Sequence, residues 1–288
     1  MWNFRIACHL NVHHDFYYCY CAQLDYKPGV AKGELAERFG HLSGNEVRTV
    51  GEAFSEFTEL LGCSINALYK NMVTDIVGST HLIVADARFK RDAIWSLGLV
   101  SALDMLLKNY PEADIREKIV ASMMTALGLD EATIRAEAQV MMDYVQGKTA
   151  ADIEAELLSG EGSSPIAAIS ANAKSDKYWM YSRFFGLGLV KIGTVVGVEE
   201  NMDDSSTLIE KWMGAMQKPT FAAMYDSDQW YKVKAKLDMM ETLMKEIEIR
   251  EKKRMADRLE EKAEMALKKA EQEAKLEAEF KEPAETAN

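Results

Sequence analysis

The chain has 288 residues, 48% of them apolar and 28% charged, with a formal net charge of −12. That length and apolar fraction support one or two domains with a buried core and exclude a wholly disordered chain; the acidic balance argues against a general nucleic-acid binder, which needs a cationic surface to displace counterions. Five prolines leave room for long helices, and four cysteines, three of them within the first 21 residues, suit a reducing compartment better than a disulfide framework.

Residues 1–48 differ in character from the rest, being aromatic, Cys/His-rich and acid-poor, with Tyr26-Lys27-Pro28-Gly29 reading as a turn. They read as a leader remnant, an atypical leader or an added arm outside the core fold. From Thr49, helices follow one another. Val50, Phe54, Phe57 and Leu61 mark one helix face that stops at Gly62, and Ile65, Leu68, Tyr69, Met72, Val73 and Ile76 repeat the pattern. Asp92 is placed to cap a third helix, apolar nearly all round from Ile94 to Leu107. Pro111 is expected near the first position of the next helix, which runs to Gly128. Asp130 opens another that ends at Gly147, and Thr149 opens a short one through Ile153 and Leu157.

The longest break, Ser159 to Asp176, is rich in Gly, Ser, Ala and Asn, with Ser164-Pro165 as a possible start for one helical turn. Two further helices are expected over Tyr178–Val195 and Ser206–Met216. The first lies in the most apolar stretch of the chain, but Arg183 and Lys191 within it would each cost roughly 2.5–3.5 kcal/mol at a bilayer centre, so no transmembrane helix is predicted. Trp230, Val233, Leu237, Met240, Met244 and Ile247 then form a heptad seam. Beyond it, Glu248 to Glu282 is more than half charged, with opposite charges at helical spacing such as Glu248/Lys252. Together these predict a helix of about 50 residues, on the order of 75 Å long, packed on the bundle in its first half and projecting in its second. The expected fold is all-α, with a leader or arm at 1–48, a helical bundle at 49–247 and a charged extension at 248–288.

No catalytic constellation stands out. Cys8, His9, His13, His14, Cys19 and Cys21 have metal-ligand chemistry, but Cys19-x-Cys21 is too tight for the usual paired spacing. Gly147-Lys148-Thr149 lacks the preceding glycine and strand of a phosphate loop and reads as a helix stop followed by an N-cap. Gly186, Gly188 and Gly193 miss the dinucleotide spacing and read as sites of close helix approach. His81 reads as a satisfied core histidine. Asp104 and Arg183, each a lone charge in an apolar helix, are candidates for an internal polar pair, or else sit at helix flanks in water.

Phe89-Lys90-Arg91-Asp92-Ala93-Ile94-Trp95-Ser96-Leu97-Gly98-Leu99, followed by Asp104 and Tyr110-Pro111, is similar to the aromatic–basic–Asp-Pro–aliphatic–aromatic–Ala-Leu-Gly segment of the thylakoid formation proteins, photosystem II biogenesis factors of plastids and cyanobacteria. Tyr181-Ser182-Arg183-Phe184-Phe185-Gly186-Leu187-Gly188-Leu189 resembles that family's second signature, and Ser64–Tyr69 and His81-Leu82 match its first helices. The likeness runs from about Thr49 to about Leu259. Ala93 stands where the family has proline, Cys63-Ser64 replaces the usual basic-Pro pair, and Ser159–Asp176 diverges.

The resemblance implies a non-catalytic all-α protein without cofactors, linked to thylakoid formation, photosystem II assembly and repair, and turnover of chlorophyll-binding proteins. It further implies action with the FtsH membrane protease and photosystem II components at the thylakoid surface. The location would be the chloroplast stroma and peripheral thylakoid membrane, or the cyanobacterial cytoplasm as the alternative. Two surfaces are candidates for contact: Tyr181, Ser182, Arg183, Phe184 and Phe185, whose other reading is core packing, and the basic residues Arg250, Lys252, Lys253 and Arg254, whose other reading is a solvated helix. The chain is expected to be a monomer or weak homo-oligomer. The rival reading is a structural scaffold that self-associates through Trp230–Ile247.

Overall fold

The computed structural model describes residues 33–198 and 201–281, and among them finds eleven α-helices, one short 3-10 turn and no strand. The all-α expectation holds. A division between Glu46 and Val47 separates two units. In the first, α1 (Glu34–Phe39) is followed by the 3-10 turn Gly40–Leu42, and neither buries a residue. The Cys/His cluster of residues 8–21 lies outside the described residues.

In the second unit, local chemistry sets most helix ends. α2 (Val50–Leu61) starts at a capping box in which Thr49 and Glu52 satisfy each other's backbone N–H groups, and it stops at Gly62 in the left-handed region, φ 61°. α3 spans Lys70–Val84 and α4 Ala93–Leu106, where the Asp92 carboxylate accepts from the Trp95 N–H at 2.9 Å. α5 (Ala113–Ala126) is followed by α6 (Glu131–Val145), capped by Asp130, and α7 (Ala150–Ser159), capped by Thr149. α8 (Pro165–Ser175), α9 (Arg183–Val195) and α10 (Met202–Ala215) start behind Ser164, Ser182 and Asn201 respectively. α11 is one helix from Phe221 to Lys281, 61 residues, or about 92 Å at 1.5 Å per residue.

Several boundaries differ from expectation, and two of them are simple shifts: α9 begins at Arg183 rather than Tyr178, and α10 at Met202 rather than Ser206. α3 begins at Lys70 because Asn66 builds a turn first: its side chain accepts from the Leu68 N–H, while its own N–H donates to the Tyr110 hydroxyl. Pro111 lies two residues ahead of α5 rather than inside it. The supposed break holds a three-turn helix, α8, with proline at its first position. Ser170 and Lys174 tie it to α7, the Lys174 ammonium donating to the Leu157 and Leu158 carbonyls at 2.7 and 2.6 Å. Finally, α11 starts nine residues before the heptad seam.

The core forms two clusters. Phe57, Tyr69, Leu99, Ile119 and Met123 represent the one built on α2, α3 and α5; Ile153, Leu157, Ile209 and Trp212 represent the one built on α6 to α10. α4 and α9 serve both, with Trp95 and Phe184 in the first, Ile94 and Phe185 in the second. That double duty explains why α4 is apolar all round.

Candidate functional site

The two signature segments form one structure, the crossing of α4 and α9. A Cβ on Gly98 would lie 1.7 Å from the Phe184 carbonyl oxygen, and one on Gly188 would lie 2.0 Å from that of Ile94. Each helix therefore presents a glycine to the other's backbone, and no side chain fits at either place. Around the crossing, Trp95 meets Phe184 edge-on at 6.0 Å between ring centroids, and Trp179 meets Phe185 at 5.2 Å. A Cβ on Gly193 would lie 2.8 Å from the Leu208 side chain of α10, a looser contact with a side chain and not with backbone. The expectation of close approach at these glycines is met.

This arrangement corrects one candidate contact surface. Phe184 and Phe185 are 1% and 2% exposed, and Ser182 is spent capping α9 by accepting from the Phe185 N–H. Of the five residues, only Arg183 stands exposed. Tyr181 is half-buried, and its hydroxyl donates to Asp226 Oδ2 of α11 at 2.8 Å. Gly186 is what allows this: a Cβ there would stand 2.1 Å from the Tyr181 oxygen.

The polar pair is also corrected. Asp104 is exposed, next to the buried Leu103 but on the face of α4 that meets solvent. Arg183 instead faces Asp226, with Nε 3.8 Å from Oδ1, beyond direct hydrogen-bond distance. Burial raises the Asp226 carboxyl, with Tyr181 and Arg183 opposing. Burial, and then the Asp226 charge beside it, push the Tyr181 hydroxyl far above the usual phenol range. Asp226 carried no signal in the sequence because it precedes the seam that identified the helix.

Beside this cluster opens a cleft of about 510 Å3 between α3, α4, α9 and the first half of α11. The seam residues Trp230, Val233, Leu237 and Met240 form its α11 wall. Past the cleft, Met244 is half-buried, and every residue from 245 to 277 is exposed. Arg250, Lys252, Lys253 and Arg254 stand on this arm; Arg250 pairs with Glu246 at 3.2 Å and Lys252 with Glu248 at 2.6 Å.

The other candidates are structural. The His81 ring nitrogen Nε2 lies 2.8 Å from the Arg48 carbonyl oxygen, which satisfies it. Gly147 has φ 77° and Thr149 caps α7, while Lys148 joins Tyr144 and Glu156 in a network between α6 and α7. A charged group without any sequence signal, Glu137, sits beside the Asp92 cap. Glu137 of α6 accepts from Ser96 at 2.5 Å and pairs with Arg91 at 3.0 Å, and burial pushes the Asp92 carboxyl up to about 6. Among the described residues no cluster of three metal-ligating side chains occurs, and no helix is long and apolar enough to cross a membrane.

The family model described as thylakoid formation protein matches residues 49–259. The chain is 27% identical over 219 residues to protein THYLAKOID FORMATION1, chloroplastic, of Oryza sativa subsp. japonica, covering 76% of this chain and 75% of that one. It is 26% identical over 230 residues to protein Thf1 of Crocosphaera subtropica, covering 77% and 93%. The solved structure of Psb29 superposes with a TM-score of 0.64 at 22% identity, covering 73% of this chain and 99% of that chain, a likeness of fold.

Proposed function

This chain belongs to the thylakoid formation protein family, and we propose that it serves thylakoid formation and photosystem II biogenesis as a non-catalytic accessory factor of the chloroplast. The observation that carries this reading is the family match over residues 49–259, which takes in the whole bundle and the first part of the arm. The plant relatives are named chloroplastic. The chain works at the thylakoid surface as a peripheral protein, with the cyanobacterial cytoplasm and thylakoid as the corresponding setting of the Thf1 relatives.

In this reading the factor acts with an FtsH-type membrane protease and photosystem II components, and the arm beyond Ile247 is its contact surface. Exposure of both charge signs along the arm supports a role in polar docking, since nothing in the bundle uses those side chains. The scaffold alternative is less well supported, because the seam it would use already faces the cleft of its own bundle.

An affinity pull-down from solubilised thylakoids tests the proposal, using the full chain and a form ending at Arg250. Recovery of the protease with the full chain and its loss on truncation are expected. Equal recovery by both forms would remove the arm from the account, and absence of the protease from both would remove the partner.

A further inference from the structure

The cleft is a solvent-open space of about 510 Å3 with a mostly apolar lining, which an apolar guest would remove from water. Its size lies within the range of about 300–1,000 Å3 typical of small-molecule sites. The length of the cleft follows from two hydrogen bonds that pin α11 over it. Tyr181 holds Asp226 at one end, and Asn109 Nδ2 donates to Glu241 at 2.9 Å at the other. Between these pins α11 runs about 22 Å at 1.5 Å per residue. One leaflet, half of a hydrocarbon core about 30 Å thick, corresponds to a tail of about 15 Å, which the cleft accommodates.

Val233, Leu237 and Met240 of α11 look across at Met72 of α3, Leu106 of α4 and Leu187 of α9. Methionines on both walls let the surface adapt to a flexible guest. The α11 helix packs against α9 and α10, and the cleft is the space left between it and α3. A thread-like tail suits a space bridged at both ends better than a helix 10–12 Å across.

The charges in the lining select the head. Arg183 is offset by Asp226, and Lys236 by Asp75, so the cleft carries no net charge. At the Asp226 end, Arg183 supplies donors, Asp226 acceptors, and the Gln229 amide and Tyr225 hydroxyl both. Hydroxyl groups, which donate and accept at once, match that set; a carboxylate or quaternary ammonium meets an unfavourable partner there. We propose that the cleft between α3, α4, α9 and α11 binds a single-tailed amphiphile with an uncharged, hydroxylated head, the tail lying along Val233–Met240 and the head at Arg183, Asp226 and Gln229.

Calorimetry on the full chain tests this with alkyl maltosides of eight, ten and twelve carbons, each below its micelle concentration, against dodecanoate and dodecyltrimethylammonium. One-to-one saturable binding is expected, tightening about fourfold per added CH2 and favouring the maltoside over both ions. Met72→Trp and Met105→Trp, which narrow the cleft, weaken binding at least about tenfold, the factor worth 1.4 kcal/mol. In the unaltered protein, a brominated dodecyl maltoside quenches emission that Trp230→Phe removes, a readout that needs no filled variant to fold. Absence of saturable binding, indifference to tail length, a preference for either ion, or undiminished binding in two folded filled variants would each overturn the proposal. So would an amphipathic peptide binding the same cleft where no maltoside does.

Discussion

At Gly98 and Gly188 the absence of a side chain is what lets α4 and α9 touch backbone to backbone. A methyl group at either place meets carbonyl oxygen rather than the yielding end of a side chain. Gly98→Ala and Gly188→Ala are each expected to cost about 3 kcal/mol or more in urea unfolding, beyond the usual range for overpacking because no rotamer relieves the clash. Gly214→Ala, in α10 with nothing within 4 Å of the added carbon, is the contrast: a gain of roughly 0.5–1 kcal/mol is expected from helix propensity. Asp92 supplies a pH test. Its carboxyl is raised from 3.8 to about 6 by burial, so the stability it contributes is complete below about pH 4 and lost as pH rises through 6. Asp92→Asn keeps the cap and removes the buried charge. Its stability relative to the natural chain should rise between pH 4 and pH 8 by up to about 3 kcal/mol; a parallel pair of pH profiles would contradict that. The role of Asp92 as a cap and of the glycines as contact points could be read from residue type and spacing. The partner of Arg183 could not, because helix periodicity orders residues around one axis and says nothing of which helix comes to face them. Asp104 turns on the same point: Leu103 and Leu107 beside it are buried, and periodicity alone does not decide between a polar pair and a face of α4 that meets water, the alternative the structure shows.

Helix starts were legible wherever a capping side chain preceded a hydrophobic stripe, as with Thr49, Asp92, Asp130 and Thr149. They were missed where the apolar pattern ran on through non-helical backbone. Tyr178 to Ser182 is apolar and aromatic because it packs under α9 and reaches α11, not because it is helical. α8 gives little helix signal because its stripe consists of small residues, Ala167, Ser170 and Ala173 with Ile166, which bury little area but let it sit against α7. The seam of α11 faces the bundle from Trp230 to Met240, but its last residue, Ile247, is exposed; the cleft it lines depends on how far α3 stands from it, which no local pattern encodes. For the arm, the expectation is one of independence. Since residues 245–277 are exposed throughout, a chain ending at Arg250 should melt by circular dichroism at the same midpoint as the full chain, with proportionally less helix signal. A drop of more than about 4 °C would show that the arm is bound into the bundle's stability, since about 1 kcal/mol shifts the midpoint of a domain this size by 2–4 °C.

Across the whole molecule, the residues that make the family recognisable hold the bundle together, and the surfaces left for partners lie elsewhere: the open cleft and the charged arm. The net −12 belongs mainly to the bundle, since the two signs nearly balance beyond Ile247. The direct test is complementation in a photosynthetic host lacking its own family member, scored as recovery of photosystem II activity after high light. Full recovery is expected with the complete chain and failure with the folded form ending at Arg250, at equal abundance. Full recovery by the truncated form would contradict the account, because the bundle alone would then carry the function.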